Sequence, residues 1–120
     1  MVKSEKSIAP SVSIDIIKGV LAAVQMLHMT GYTYNDLKLQ NIMIPIRKST
    51  DRINPILIDY GFASKYLDKE GLHLPESEVE TFRGNILFAS KYQMNFSLTS
   101  RRDDLISIGY ILLFLLNNLQ

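Results

Sequence analysis

The segment from Leu105 to Leu116, LISIGYILLFLL, constrains the fold more than any other part of the sequence. It is long enough for about three helical turns, and it is apolar on every side. A helix of this kind needs neighbouring elements on all sides, and only one other strong helical pattern precedes it. The sequence therefore indicates part of a larger helical body rather than a complete folding unit.

The other helical pattern runs from Ile14 to Met29, where the apolar residues form two adjoining rows. We expect this helix to be mostly buried and to end at Thr30-Gly31, because Gly tolerates the left-handed conformation that commonly ends helices. Residues 1–13 are polar and predict a flexible lead, with Ser11 or Ser13 as the helix cap.

Two short β-like runs, Ile42–Ile44 and Ile56–Ile58, flank a charged, turn-rich stretch from Arg47 to Arg52. They predict one β-hairpin with a solvated loop. Residues 62–100 follow without any period, and so long a connection inside a compact domain is often functional. The predicted fold class is therefore α+β, mainly helical with a small β-hairpin.

Composition excludes several classes of partner and site. The chain has 13 Lys and Arg against 12 Asp and Glu, a formal net charge of +1, and no Cys. This balance argues against nucleic-acid or membrane-surface binding, which needs a sustained positive field. The absence of Cys excludes disulfides and thiolate metal sites.

The sequence carries no targeting signal that we can identify. Residues 1–13 lack a signal-peptide apolar stretch, and the longest uninterrupted apolar run, Gly109 to Leu116, is too short to cross a bilayer. We therefore expect a cytoplasmic or nuclear protein. His28 and His73 have no Cys beside them, so we expect structural or solvated roles for them rather than a zinc site.

The chemical signal lies in the run Tyr34-Asn35-Asp36-Leu37-Lys38-Leu39-Gln40-Asn41, followed by the predicted hairpin and then Asp59-Tyr60-Gly61. Taken alone, each fragment is typical of a solvated ion pair or a turn. Taken together, their order and spacing are specific. The run resembles the catalytic loop of the protein kinases, and Asp59-Tyr60-Gly61 is similar to their magnesium-binding tripeptide.

A third element narrows the resemblance to one group of kinases. The stretch from Ser100 to Tyr110, SRRDDLISIGY, is similar to the start of the large central helix in the casein kinase 1 group. In that group the second Asp, here Asp104, braces the catalytic-loop backbone. The stretch from Phe82 to Ser90 resembles the substrate-docking end of the activation segment, and the Asp-Tyr-Gly variant is similar to the vaccinia-related kinases, a sister branch.

The resemblance implies a partial protein kinase domain over residues 14–120. The chain would supply the mainly helical large (C-terminal) lobe with its β-hairpin, and the small lobe would be missing, because no glycine-rich loop, strand Lys or partner Glu is found. The implied parts are the catalytic loop 34–41, the metal-binding tripeptide 59–61, the activation segment 59–92 and the central helix 103–117.

The implied reaction is transfer of the γ-phosphoryl group of ATP to a Ser or Thr hydroxyl of a protein substrate. Asp36 would orient the hydroxyl, and Lys38 would neutralise the phosphoryl group and contact ATP, which makes both residues catalytic. Asn41 and Asp59 would bind the cofactor through Mg²⁺, which prefers hard oxygen ligands. The expected partners are ATP and a Ser/Thr protein substrate, and the oligomeric state stays open.

Departures from the kinase pattern leave other functions open. Tyr34 and Asn35 replace the usual His and Arg, so the positive group that pairs with a phosphorylated activation loop is missing. Activation by loop phosphorylation is therefore not expected. Asn85 stands where a Thr normally bonds the catalytic Asp and Lys. The alternatives are a truncated or pseudokinase-like interaction module without phosphotransfer, and an unrelated helix–hairpin–helix protein that self-associates through Leu105–Leu116.

Overall fold

The structure, a computed structural model, describes residues 8–46 and 52–117. Residues 1–7 of the predicted lead and 47–51 of the predicted hairpin loop fall outside these ranges. Helices and two small antiparallel sheets make up the architecture, in agreement with the α+β prediction. The elements are α1 Pro10–Met29, β1 Tyr32–Thr33, a 3₁₀ turn Leu39–Asn41, β2 Ile42–Met43, β3 Ile56–Leu57, β4 Ser64–Lys65, α2 Lys91–Met94 and α3 Arg101–Asn117.

Helix α1 confirms the helix predicted over 14–29 and begins four residues earlier, at Pro10. Pro is favoured in the first turn because its missing N–H would have no acceptor there. The predicted cap at Ser11 or Ser13 is wrong. The residue before the first turn is Ala9, which makes no side-chain capping bond, and Ser13 is fully buried inside the helix.

The core lies between α1 and α3, whose buried faces pack on each other. Each apolar side chain buried there stabilises the fold by roughly 1.5–3 kcal/mol. Length and composition alone would also allow α1 to cross a membrane, but the core helix of a globular domain passes the same test. The core side chains include Ile16, Ile17, Val20 and Val24 of α1, Tyr34, Leu37 and Phe88 of the connecting segments, and Ile108, Ile111 and Leu115 of α3.

Helix α3 is covered on one face by the part of the chain that the structure describes. Asp104 and Ile111 on that face are buried, whereas Leu105, Tyr110 and Leu113 are 52%, 44% and 56% exposed. The sequence predicts neighbouring elements on all sides of this apolar helix, and the described residues cover only part of it. The remaining stripe is an apolar surface of the kind that other protein segments cover.

Two small sheets position the candidate site. β2 pairs with β3 so that Ile42 lies opposite Leu57, which confirms the predicted hairpin. β1 pairs with β4 so that Thr33 lies opposite Ser64. This second sheet joins the chain just before the predicted catalytic loop to the chain just after the predicted tripeptide.

A close contact between Gly19 and Pro55 fixes the start of β3 on α1. A Cβ atom at Gly19 would lie 2.3 Å from Cδ and 2.6 Å from Cγ of Pro55, so only glycine leaves room for the ring. Pro55 is buried and immediately precedes β3. The contact therefore sets where the hairpin sits along the helix.

Candidate active site

The segment from Tyr34 to Asn41 is held in place by a carboxylate of α3. Asp104 accepts the backbone N–H of Tyr34 at Oδ2 and that of Asn35 at Oδ1, each at 2.8 Å. Nε2 of His28 lies 2.7 Å from the same Oδ2, and Asp104 is 1% exposed. The prediction that Asp104 braces the loop backbone is confirmed.

The adjacent carboxylate, Asp103, connects α3 to α2. Its Oδ1 accepts from Ser90 Oγ at 2.5 Å, and its Oδ2 accepts the N–H of Ser100 at 2.8 Å. Ser90 and Gln93 form a capping box at the start of α2, a motif that the Ser-x-x-Gln spacing could have revealed. Nε2 of Gln93 then donates to the backbone oxygen of Asn35 at 3.1 Å, so α2 also supports the loop.

Asp36 lies at the centre of a cluster of nitrogen groups and is only 2% exposed. Its Oδ2 accepts from Asn41 Nδ2 at 3.0 Å and lies 4.0 Å from Nζ of Lys38, while its Oδ1 accepts from Asn85 Nδ2 at 3.2 Å. Asn85 also donates to the backbone oxygen of Leu37 at 2.9 Å. The structure thus brings Asp36, Lys38 and Asn41 together, and Asn85 bonds the Asp as its position in the sequence suggests.

Asn41 and Asp59 lie at the same end of the β2–β3 hairpin. The backbone oxygen of Asn41 accepts the N–H of Ile58 at 3.0 Å, which joins the two motifs directly. Asp59 is exposed, and its Oδ1 accepts the N–H of Gly61 at 3.2 Å. Its φ of 59° is left-handed, a conformation that non-glycine residues adopt mostly at turns and functional sites.

These two side chains offer suitable atoms for Mg²⁺. Nδ2 of Asn41 donates to the backbone oxygen and to Oδ2 of Asp36, so the remaining polar atom of its amide is the oxygen. Together with the Asp59 carboxylate, it provides the hard oxygen ligands that Mg²⁺ prefers. The described residues contain no cluster of three or more His, Cys, Asp or Glu side chains, so further ligands would come from phosphate oxygens or water.

Tyr34 is fully buried beneath the cluster and keeps its proton. Its hydroxyl donates to the backbone oxygen of Ile58, and its ring meets that of Tyr60 edge-on, with 5.3 Å between centroids. Burial raises the pKa of the Tyr34 hydroxyl well above its ordinary value, and the nearby Asp36 carboxylate raises it further. The neutral hydroxyl therefore remains a donor and ties the loop to the strand that leads into Asp59.

The sequence does not predict the side-chain contacts of Asn35. In the sequence this residue is notable only because it replaces the usual Arg and its positive charge. Its Nδ2 donates to the backbone oxygen of Phe62 at 2.7 Å and to Ser64 Oγ at 2.8 Å. These partners lie more than 25 residues along the chain, and the contacts depend on the β1–β4 pairing. No local pattern in the sequence signals them.

The two histidines make different contacts. His28 bonds Asp104 through its ring, and its backbone oxygen accepts the hydroxyl of Tyr66 at 2.5 Å, so its predicted structural role is confirmed. His73 is exposed, with Nδ1 lying 2.7 Å from the backbone oxygen of Leu74. Neither ring belongs to a cluster of metal ligands among the described residues.

A cavity of about 420 Å³ lies beside the predicted activation segment rather than at the Asp36 cluster. Its lining comes from residues 79–83 and 97–99, together with Ser64 and Gln93. None of the four predicted catalytic and metal-binding residues contributes to it. We therefore assign the candidate site to the groups around Asp36, where its carboxylate, two amides and the Lys38 ammonium lie close together.

Comparisons with known proteins show which family matches this chain. The model of the protein kinase domain matches residues 1–120. A casein kinase 1-like protein of Oryza sativa subsp. japonica is 34% identical over 98 residues, which cover 80% of this chain and 14% of that protein. A probable casein kinase I homolog of Encephalitozoon cuniculi is 33% identical over 98 residues, which cover 82% of this chain and 29% of that protein. The chain thus spans less than a third of the length of either relative.

Proposed function

The chain belongs to the protein kinase family and is casein kinase 1-like, and on that premise we propose that it carries the phosphotransfer site of a Ser/Thr protein kinase. The proposed reaction moves the γ-phosphoryl group of ATP to a Ser or Thr hydroxyl of a protein. The observation that supports this most is the contact of the Asp36 carboxylate with Asn41 and Asn85 and its proximity to Lys38. We further propose that the chain corresponds to the large lobe.

Asp36 is proposed to orient the attacking hydroxyl and accept its proton. The hydroxyl oxygen forms a bond to the γ-phosphorus, the bond from that phosphorus to the bridging oxygen breaks, and ADP leaves. The amides of Asn41 and Asn85 each donate to a different carboxylate oxygen of Asp36, and these two bonds are proposed to fix the direction in which the carboxylate faces the hydroxyl.

Lys38 and the predicted metal ligands are proposed to balance the charge of ATP. The side chain of Lys38 is about one-third exposed. Its ammonium can offset negative charge on the transferring phosphoryl group. Asn41 and Asp59 would hold Mg²⁺, which when bound neutralises the phosphate oxygens. The Ile58–Asn41 backbone bond keeps these two ligands at one end of the hairpin.

The test is phosphotransfer by the full-length protein with Asp36→Asn, using labelled ATP and a library of Ser and Thr peptides. We expect kcat to fall by about 10²–10⁴-fold, because the amide can neither accept the proton nor hold the hydroxyl as the carboxylate does. The matched control is Asp15→Asn, which changes an exposed carboxylate of α1. An unchanged rate in Asp36→Asn would show that the catalytic assignment is wrong.

An interaction module without phosphotransfer is the second candidate. It is favoured by the Tyr34-Asn35 pair at the start of the loop, which replaces the usual His and Arg. Such a module would show no Mg-ATP-dependent rise in Tm. A kinase that binds ATP should be stabilised by about 2.7 kcal/mol at 100 times its Kd, and Asp59→Asn should reduce that shift.

We also propose a cytoplasmic or nuclear location, where ATP and protein substrates are available. The support is the proposed reaction, since it needs ATP and a protein hydroxyl in the same compartment. Imaging of the full-length protein carrying a fluorescent tag would test it. Signal confined to a membrane compartment or to the medium would contradict the proposal.

A further inference from the structure

The side chain of Asn35 joins the predicted catalytic loop to the 62–64 segment, the residues Phe62 to Ser64 that follow the Asp59 tripeptide. Its Nδ2 donates to the backbone oxygen of Phe62 at 2.7 Å and to Ser64 Oγ at 2.8 Å. Both amide hydrogens are thereby used in a residue that is 4% exposed. A backbone carbonyl can only accept, so the contact with Phe62 fixes which way the amide faces.

Two features of Asn35 are unfavourable for folding. Its Oδ1 is buried and has no hydrogen-bond partner within the described ranges of the chain. Its φ is 72°, a left-handed conformation that Asn tolerates better than most residues. A buried unpaired oxygen on a left-handed residue is unfavourable, and in native proteins such combinations mark positions where the side chain has a use.

The main chain of Asn35 is fixed independently of its side chain. Its N–H donates to Asp104 at 2.8 Å, and its backbone oxygen accepts from Gln93 at 3.1 Å. Gly84 packs on the same oxygen so closely that a Cβ there would lie 2.3 Å from it. Removing the Asn35 amide should therefore leave the loop backbone in place and affect chiefly the 62–64 segment.

The 62–64 segment has space to move when the amide is absent. The 420 Å³ cavity borders Ser64 directly. The other side-chain contacts of the Ser64 hydroxyl are long, 3.4 Å to Thr33 Oγ1 and 3.4 Å to Thr99 Oγ1. The pairing of Ser64 with Thr33 also holds its main chain to β1. The two bonds from Asn35 are the shortest side-chain hydrogen bonds to this segment among the described contacts.

We propose that Asn35 is a positioning residue that holds the 62–64 segment in its catalytic position through neutral hydrogen bonds, without a phosphate on the activation segment. This inference rests on the kinase function proposed above and specifies how that same site is regulated. A cationic side chain at this position would need an anion as partner. The neutral amide is matched instead to a carbonyl and a hydroxyl that are always present.

The test compares Asn35→Gly with the unaltered full-length protein. Glycine accepts a φ of 72°, so this variant removes both side-chain bonds without adding backbone strain. Hydrogen exchange at the amides of Ala63 and Tyr66, both bonded to backbone oxygens, reports on the segment. We expect exchange there to quicken by about tenfold or more while α1 and α3 stay protected.

Kinetic measurements separate positioning from a general structural role. We expect kcat of Asn35→Gly to fall about tenfold while KM for ATP changes by less than about twofold. Phosphatase treatment of the unaltered protein should leave both its kcat and its segment exchange within about twofold of the starting values. Asn95→Gly, at an exposed position after α2, is the matched control.

Unchanged exchange at Ala63 and Tyr66 in Asn35→Gly would overturn the inference, whether or not the protein is a kinase. Loss of activity or protection after phosphatase treatment would overturn it as well. If faster exchange is found but the unaltered protein transfers no phosphate, the anchoring role stands and the kinase proposal fails. Should Asn35→Gly exchange rapidly throughout, Ser64→Ala removes one of the two bonds and must quicken exchange in the segment alone.

Discussion

Nε2 of His28 and Oδ2 of Asp104 lie 2.7 Å apart inside the core, although the two residues are 76 positions apart in the sequence. His28 comes from the last turns of α1, and Asp104 from the first turn of α3. The same carboxylate accepts the backbone N–H groups of Tyr34 and Asn35. One buried side chain thus connects both long helices to the predicted catalytic loop.

Replacing Asp104 should therefore destabilise the protein more than most single changes. Asp104→Ala leaves the two loop N–H groups and His28 without their acceptor, and breaking a buried charged network costs about 3–5 kcal/mol. Asp15→Ala, which removes an exposed carboxylate of α1, should change stability by less than about 0.5 kcal/mol. Urea unfolding followed by circular dichroism measures both. Similar midpoints for the two variants would contradict the bracing role.

Asn85 should control the rate through its bond to Asp36. Asn85→Ala removes the donor to Asp36 Oδ1 and to the Leu37 oxygen, and also the acceptor for the N–H of Phe88. We expect kcat to fall by about 10–100-fold, because misplacing a catalytic group by a small distance slows the reaction strongly. Steady-state kinetics of the full-length protein provide the measurement.

Asn85→Thr serves as the conservative partner of that variant. A hydroxyl at this position can still donate to Asp36, so we expect this variant to keep more activity than Asn85→Ala. Asn95→Ala, at an exposed position after α2, should behave like the unaltered protein. Equal rates for all three variants would mean that the Asn85–Asp36 contact has no part in the reaction.

The buried hydroxyl of Tyr34 should cause the free energy of unfolding to fall at alkaline pH. Burial raises the pKa of this hydroxyl in the folded state, so above about pH 10 the unfolded chain loses a proton that the folded chain keeps. The contribution of Tyr34 is fully present below the unfolded pKa and is lost as pH rises from there towards the folded pKa. The free energy of unfolding should fall by up to about 1.4 kcal/mol per pH unit from this group alone.

Urea unfolding at a series of pH values between about pH 8 and pH 11 would measure this dependence, because the range spans the pH near 10 at which an unperturbed Tyr titrates. Tyr34→Phe removes the titrating group, so its stability curve should fall less steeply with pH. It also loses the bond to the Ile58 oxygen, which lowers stability by a constant amount at every pH. Parallel curves for the two proteins would show that Tyr34 does not titrate differently on folding.

Two helical glycines should respond in opposite directions to the same substitution. Gly109→Ala, where an added Cβ meets nothing within 4 Å, should stabilise the protein by about 0.5–1 kcal/mol because alanine favours the helix. Gly19→Ala has the same intrinsic gain but forces a Cβ into the ring of Pro55, and overpacking of this kind costs about 1–3 kcal/mol. Thermal unfolding of both variants distinguishes these effects. A rise in Tm for Gly19→Ala would contradict the close contact.

Local patterns in the sequence were sufficient to predict the long helices and the hairpin. Apolar periodicity located α1, and the paired β-like runs located β2 and β3. The periodic pattern places the start of α1 too late, because Pro10, a residue favoured in the first helical turn, precedes the serines that could act as caps. Strands β1 and β4 have two residues each and lie 31 residues apart, so no period could reveal them.

The residues of the candidate site were predictable where the order and spacing of residue types along the chain indicate the reaction. Asp36, Lys38 and Asn41 follow one another in a single loop, and the structure gathers them around one carboxylate. The contacts of Asn35 and His28 were not predictable, because each depends on a partner brought near by tertiary packing. The orphaned oxygen of Asn35 likewise exists only once the fold has buried it.

The hairpin that carries Asn41 and Asp59 is fixed by one contact at its open end and by one at the residue before β3. The Ile58–Asn41 backbone bond sets the register, and the ring of Pro55 on Gly19 sets the position. Because the first restraint lies outside the connection and the second lies at its last residue, residues can be added to the earlier part of that connection without separating the two predicted metal ligands. An epitope or a fluorescent reporter inserted there would leave both restraints in place.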